Sequence, residues 1–184
     1  DDTDATQCRQ CDLGKTTTVE GAATCSGCDL GSYGSSKGTC SACPAGQYQD
    51  GKGETSCKEC DADTYLNKPG KSSKADCTSC SDDRSTGTTT GNTDASACLC
   101  KRTKYYQNDT NECEPCPPGA DCSLKDGITM EHLFARPGYW RSSNSTDKFQ
   151  SCADAYYTSD RLTIAAARCC PDGQCNTTHL LDRS

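Results

Sequence analysis

Cysteines recur along this chain in closely spaced pairs, and that spacing constrains the fold more than any other feature. C-x-x-C pairs stand at 8/11, 25/28, 40/43, 57/60 and 77/80, a C-x-C at 98/100, and a further C-x-x-C at 113/116. The first cysteines are separated by 17, 15, 17, 20 and 21 residues over the first five steps. Variable loops between fixed cysteines suit a cross-linked ladder of repeats, whereas a solenoid buried by regular strands or helices tolerates less variation. Composition removes the main alternative. Of 184 residues 19 are cysteine, one is Trp and two are Phe, so no ordinary apolar core can be assembled. Cross-links or metals must replace it, and the cysteine content exceeds the roughly 8–10% that marks a disulfide scaffold.

Alignment on the second cysteine of each pair exposes a second regularity. Three residues on come Gly14, Gly31, Gly46, Asp63, Asp83, Thr103 and Gly119; five residues on come Thr16, Tyr33, Tyr48, Tyr65, Ser85 and Tyr105. Glycine there suits a tight turn with positive φ. A Tyr two residues later can lay its ring across the neighbouring disulfide and give each repeat a very small core, or else face outward as a ligand contact. The stretch STGTTTGNTDASA (85–97) reads as an exposed polar loop and a candidate for O-glycosylation.

After Cys116 the character changes, and every Met, Phe and Trp of the chain lies here: Met130, Phe134, Trp140 and Phe149. In ITMEHLFARPG, Met130, Leu133 and Phe134 share a helical face that Pro137-Gly138 would end. In SDRLTIAAARCC, Ser159 or Asp160 can cap a helix with Leu162, Ala165, Ala166 and Cys169 on one face. The expected fold is therefore small and disulfide-rich. An elongated ladder of short β-hairpin and turn repeats covers 1–116, and a small α-containing disulfide-bonded module covers 117–184.

Four chemistries use cysteines in such patterns. C-x-x-C pairs are a strong spacing signal for four-cysteine zinc sites. The C-x-C interruption, the polar Gly-x-Tyr loops and the secretory features below oppose it. A thioredoxin-type redox site needs its thiolate at a helix start within a βαβ unit, which nothing before residue 116 provides. Hydrolytic catalysis finds two histidines, His132 and His179, without a nucleophile signature. The carboxylates are scattered over polar loops, and the acidic stretches DDTDAT and SDD lack EF-hand spacing. Structural disulfides remain. The simplest scheme joins the second cysteine of each pair to the first of the next: Cys11–Cys25, Cys28–Cys40, Cys43–Cys57, Cys60–Cys77, Cys80–Cys98 and Cys100–Cys113. An interlock such as Cys8–Cys25 with Cys11–Cys28 is the rival, and spacing leaves it open. A local Cys116–Cys122 bridge is expected. Cys152, Cys169, Cys170 and Cys175 then pair within the C-terminal module, the adjacent Cys169 and Cys170 reaching different partners. No catalytic residue, metal or cofactor is expected.

The net charge of −7, without a basic cluster or interleaved basic and aromatic residues, argues against a nucleic-acid partner. No run of ~18 apolar residues is present to span a membrane. The opening DDTDATQ is not a signal peptide, so either a signal has been removed or the chain is an excerpt of something larger. Three N-x-[ST] sequons, at Asn108, Asn144 and Asn176, in a cysteine-dense chain point to the secretory pathway and to N-linked glycans.

The loop C-P-x-G-x-Y-…-C-x-x-C resembles the cysteine-rich repeats of tumour necrosis factor receptor ectodomains. It is closer still to the ephrin-receptor-like repeats of large extracellular proteins, including those of algae and other protists. The stretches CDLGSYGSSKGTCSAC, CPAGQYQDGKGETSCKEC and CDADTYLNKPGKSSKADCTSC carry the resemblance, which with weaker neighbours covers roughly residues 8–116. In the receptor family the loop closes from the C-P cysteine to the first cysteine of the next pair, which implies Cys43–Cys57, Cys28–Cys40 and Cys60–Cys77. The segment CEPCPPGADCSLKDG…PGYWR…FQSC…CCPDGQC looks like a module that follows such repeats in large protist surface proteins, often membrane-anchored. The fifth repeat departs from the pattern at Asp83 and Ser85.

Two functions follow as expectations. The first is an extracellular structural or adhesive rod, part of a larger cell-surface or filamentous glycoprotein assembly. Its partners are other extracellular chains or copies of itself, joined through Cys8, whose partner in the sequential scheme would lie upstream of Asp1. The second is a receptor ectodomain for a protein ligand, which gains if Tyr33, Tyr48 and Tyr65 are exposed on one face.

Overall fold

The computed structural model describes residues 10–19 and 22–152. Sixteen short strands among them form eight two-stranded sheets, each made by consecutive strands. In order the hairpins are β1 (Lys15–Thr16) with β2 (Ser26–Gly27), β3 (Ser32–Ser36) with β4 (Thr39–Ala42), and β5 (Gln47–Tyr48) with β6 (Lys58–Glu59). Next come β7 (Thr64–Tyr65) with β8 (Thr78–Ser79), β9 (Arg84–Ser85) with β10 (Leu99–Cys100), and β11 (Lys104–Gln107) with β12 (Glu112–Pro115). The last two are β13 (Ala120–Asp121) with β14 (Phe134–Ala135), and β15 (Tyr139–Arg141) with β16 (Phe149–Ser151). Such hairpins are too short to be stable alone in water. The chain closes the loops of the first six covalently and, within the first unit, bonds one repeat to the next through the backbone.

The chain divides into two compact units, Asp1–Leu99 and Cys100–Ser184. The first is a ladder of disulfide-closed hairpins with almost no apolar interior. Its largest cluster is Tyr48, Cys60 and Leu66 with Cys77 against them, so one aromatic ring lies beside one disulfide. Two loops are longer than their neighbours, and each packs the extra residues as a 3-10 turn before the closing cysteine. Lys74–Asp76 is opened by a capping box between Ser73 and Asp76, and Ala95–Ala97 is opened by Asp94, whose carboxylate accepts from the Ser96 amide.

The second unit has a more conventional core, in which Tyr105, Cys122, Ile128 and Leu133 are buried and Cys116, Met130 and Phe149 pack against them. The helix expected from Met130, Leu133 and Phe134 is instead a single 3-10 turn, Met130–His132. Two local features end it. Thr129 makes no side-chain cap, its hydroxyl meeting His132 Nδ1 at 2.7 Å. Phe134 and Ala135 are drawn into pairing with Asp121 and Ala120, which turns the Phe134 ring outward to 55% exposure. Arg141 holds the turn against the last hairpin: its guanidinium donates to the carbonyls of Met130 at 2.7 Å and Glu131 at 3.1 Å and stands 5.4 Å over the Phe149 ring. The helix expected over 159–169 lies outside the described residues, as do Cys8, Cys169, Cys170, Cys175, Asn176, His179 and DDTDAT.

Candidate functional site

The described cysteines are joined as Cys11–Cys25, Cys28–Cys40, Cys43–Cys57, Cys60–Cys77, Cys80–Cys98, Cys100–Cys113 and Cys116–Cys122. Cys152 is also disulfide-bonded. A thiol held in a disulfide is neither a metal ligand nor a nucleophile. Among the described residues no group of three or more His, Cys, Asp or Glu is placed to hold a metal ion.

What recurs at each repeat is a backbone junction built on two glycines. The first stands three residues after the loop-opening cysteine and has positive φ: 80° at Gly14, 77° at Gly31 and 83° at Gly46. Its carbonyl accepts from the cysteine that opens the next loop, Cys28 to Gly14 at 2.8 Å, Cys43 to Gly31 at 2.9 Å and Cys60 to Gly46 at 2.9 Å. The second glycine lies ten or eleven residues after the loop-opening cysteine, and it too has positive φ at Gly38, Gly53, Gly70, Gly91 and Gly127. Its amide latches onto the carbonyl of the preceding loop-opening cysteine: Gly53 to Cys28 at 2.8 Å, Gly70 to Cys43 at 2.8 Å, Gly91 to Cys60 at 2.9 Å and Gly127 to Cys100 at 2.7 Å.

The two glycine sets also meet face to face. A Cβ on Gly46 would overlap the Gly91 carbonyl oxygen and lie 2.8 Å from its carbon, and one on Gly31 would meet Gly70 in the same way at 2.9 Å. Only residues without side chains let these backbones approach so closely. Sequence reasoning found the first set and missed the second. A turn signal was present at two of its members, in the dipeptides Pro69-Gly70 and Asp126-Gly127.

Where glycine is absent the junction adapts. Asp63 adopts φ 61°, a region that Asp reaches more readily than most side chains. Its carboxylate accepts from the Thr86 amide at 2.9 Å and the Ser85 hydroxyl at 2.7 Å, and its own amide donates to Thr86 Oγ1 at 2.8 Å. Asn111, with φ 58°, takes the position of the second glycine in its loop. A further tie is Gln49, 2% exposed. Its amide donates to the Lys71 carbonyl at 3.0 Å, its Oε1 accepts from Gly51 at 2.9 Å, and its Nε2 donates to the Ser56 carbonyl. Tyr48 and Tyr105 are 7% and 4% exposed, Tyr33 and Tyr65 partly buried.

Charge at the surface stiffens the loops locally. The Lys71 ammonium, 3.0 Å from Asp76, holds that carboxyl below its ordinary range, and the Ser96 amide does the same for Asp94. A folded-state pKa below the unfolded one contributes stability that is full above the unfolded value, about 3.9, and is lost as pH falls through the folded value. Thermal midpoints should therefore decline on acidification below about pH 4, and Asp76→Asn should decline less steeply from a lower neutral-pH start. A variant that tracks the wild type at every pH would remove the Lys71–Asp76 pair from the account.

A run of disulfide-closed hairpins joined by backbone latches defines a cysteine-rich repeat protein. Residues 31–77 match the family described as tyrosine-protein kinase ephrin type A/B receptor-like, so at least this segment is an ephrin-receptor-like repeat. No curated protein matches the chain. The repeat and its disulfides point to an extracellular or secreted domain. Among the described residues no helix is long and apolar enough to cross a membrane.

Proposed function

We propose that this chain is an extracellular structural or adhesive element, a stiff spacer within a larger cell-surface or filamentous glycoprotein assembly. Residues 1–116 would serve as its repeat array and 117–184 as a second module. The observation that carries this reading is the backbone junction, which ties each loop of the first unit to its neighbours and leaves small polar loops outside. Repeats of this kind in a disulfide-rich fold are not usually catalytic, and we assign no reaction to them. The receptor alternative has less support: protein ligands are usually gripped by exposed aromatic or Arg anchors, and the burial of Tyr48 removes the centre of that set.

Labelling the chain on its native cells and imaging by electron microscopy tests the proposal. Label repeating along a surface layer or filament is expected; a dispersed receptor that captures a soluble ligand would overturn it. The 19 cysteines leave at least one without an internal partner. We propose that Cys8 joins the chain to others, and non-reducing electrophoresis should show species larger than the monomer that Cys8→Ser abolishes.

Asn108 and Asn144 are both exposed. We propose both as N-glycan acceptors, with Asn176. Asn108→Gln and Asn144→Gln should each remove one step of the mobility shift reversed by N-glycosidase. Variants that migrate with the wild type would withdraw the assignment.

A further inference from the structure

We propose that the sequential disulfides make this chain a redox-gated store of length. Under tension the covalent load runs through the bridges and the short links between them, and the loops are released only when a dithiol opens the bridges. The path follows from connectivity. Cys43–Cys57 holds its two Cα atoms 5.8 Å apart across a sequence separation of 14. Fully extended, that loop would span about 46–50 Å at ~3.3–3.6 Å per residue. From Cys57 the load passes through Lys58 and Glu59 to Cys60 and straight into the next bridge. The same alternation of bridge and short link runs from Cys11 to Cys113. Between Cys28 and Cys98, the glycines Gly38, Gly53, Gly70 and Gly91 and the 3-10 turns Lys74–Asp76 and Ala95–Ala97 lie inside closed loops, off the path.

Access to the bridges is graded. Cys28, Cys43, Cys60 and Cys100 are almost fully buried, and their partners Cys40, Cys57, Cys77 and Cys113 are half-buried. At the first bridge Cys11 is buried and Cys25 is exposed. Exchange proceeds by in-line attack of a thiolate on a reachable sulfur. A dithiol thiolate attacks Cys25 Sγ, forming a mixed disulfide and expelling Cys11 as a thiolate that takes up a proton. The second thiol of the reductant then attacks the mixed disulfide, releasing Cys25 as a thiol. Two electrons pass from the dithiol, which leaves as a cyclic disulfide. Opening therefore begins at Cys11–Cys25.

The use of such a store rests on the structural reading above; the load path does not. The test is single-molecule stretching of the full chain held by its two ends, with and without dithiothreitol. Without reductant the bridged loops should stay closed. With it, discrete increments of roughly 3.5–6 nm should appear, the lengths of loops of 12 to 18 residues less their bridges. Cys60→Ala combined with Cys77→Ala should convert one increment, about 5–5.5 nm, to a reductant-independent one. Equal extension with and without dithiothreitol, or no new increment in the double variant, overturns the proposal. Alkylation under limiting dithiothreitol should label Cys11 and Cys25 first, and earlier labelling of Cys100 and Cys113 overturns the order of opening. A chain that proves to be a receptor would leave all these increments in place.

Discussion

Gly46→Ala should destabilise the first unit by about 3 kcal/mol or more, because two costs add at that position. The backbone there has φ 83°, where an L side chain costs roughly 1–2 kcal/mol. The new methyl group also overlaps the Gly91 carbonyl, which is backbone and has little room to yield. Gly91 is itself fixed by its bond to the Cys60 carbonyl. Gly87 supplies the control. It has φ 65° and no atom within 4 Å of the Cβ it lacks, so Gly87→Ala incurs the conformational cost alone, about 1 kcal/mol. Urea unfolding under non-reducing conditions separates the two. Equal midpoints would mean that the glycine-to-glycine approach has no energetic weight.

Removing the Cys43–Cys57 bridge by paired alanine substitutions should cost about 3 kcal/mol from loop closure, against about 2 kcal/mol for Cys116–Cys122. The difference follows from sequence separations of 14 and 6. The larger loss should also spread. The Cys43 carbonyl receives the Gly70 latch and its amide donates to Gly31, so loosening this residue loosens the repeats on both sides. Hydrogen exchange is the discriminating measurement, with faster exchange expected at Gly70 and Gly31 as well as within 43–57. Acceleration confined to the opened loop would show that the repeats are independent.

The ladder was legible because its cause is local. A cysteine fixed three residues before a glycine and five before a tyrosine is a pattern in one dimension, and residues 31–77 carry it most fully. Spacing could not decide between sequential and interlocked bridges, since both close loops of similar length. The second glycine was missed because its partner is in another repeat: nothing near Gly70 in sequence announces that its amide meets Cys43. The Met130–Phe134 helix failed for a related reason. Its apolar periodicity is genuine, and Leu133 is buried at 4%, but pairing with Ala120 and Asp121 decides the backbone after it. Tertiary pairing overrides a short propensity signal. The exposure of each tyrosine depends on what its neighbouring repeat supplies, as Leu66 does for Tyr48.

The position of the latch has a practical corollary for engineering. From loop-opening cysteine to latch the count is held at ten or eleven, while from latch to closing cysteine it runs from two residues at Gly38–Cys40 to seven at Gly70–Cys77 and Gly91–Cys98. The backbone bonds that register a repeat on its neighbour end one residue past the latch, where the Lys71 carbonyl accepts from the Gln49 amide at 3.0 Å and the Asn92 carbonyl from the Leu66 amide at 2.9 Å. Exposed segments of that kind, with both flanks already anchored, are where insertions are best tolerated. The chain is thus a natural display scaffold, and the segments 72–76 and 94–97, which follow those bonds, are grafting ports through which a foreign peptide could be carried without breaking the register of the array.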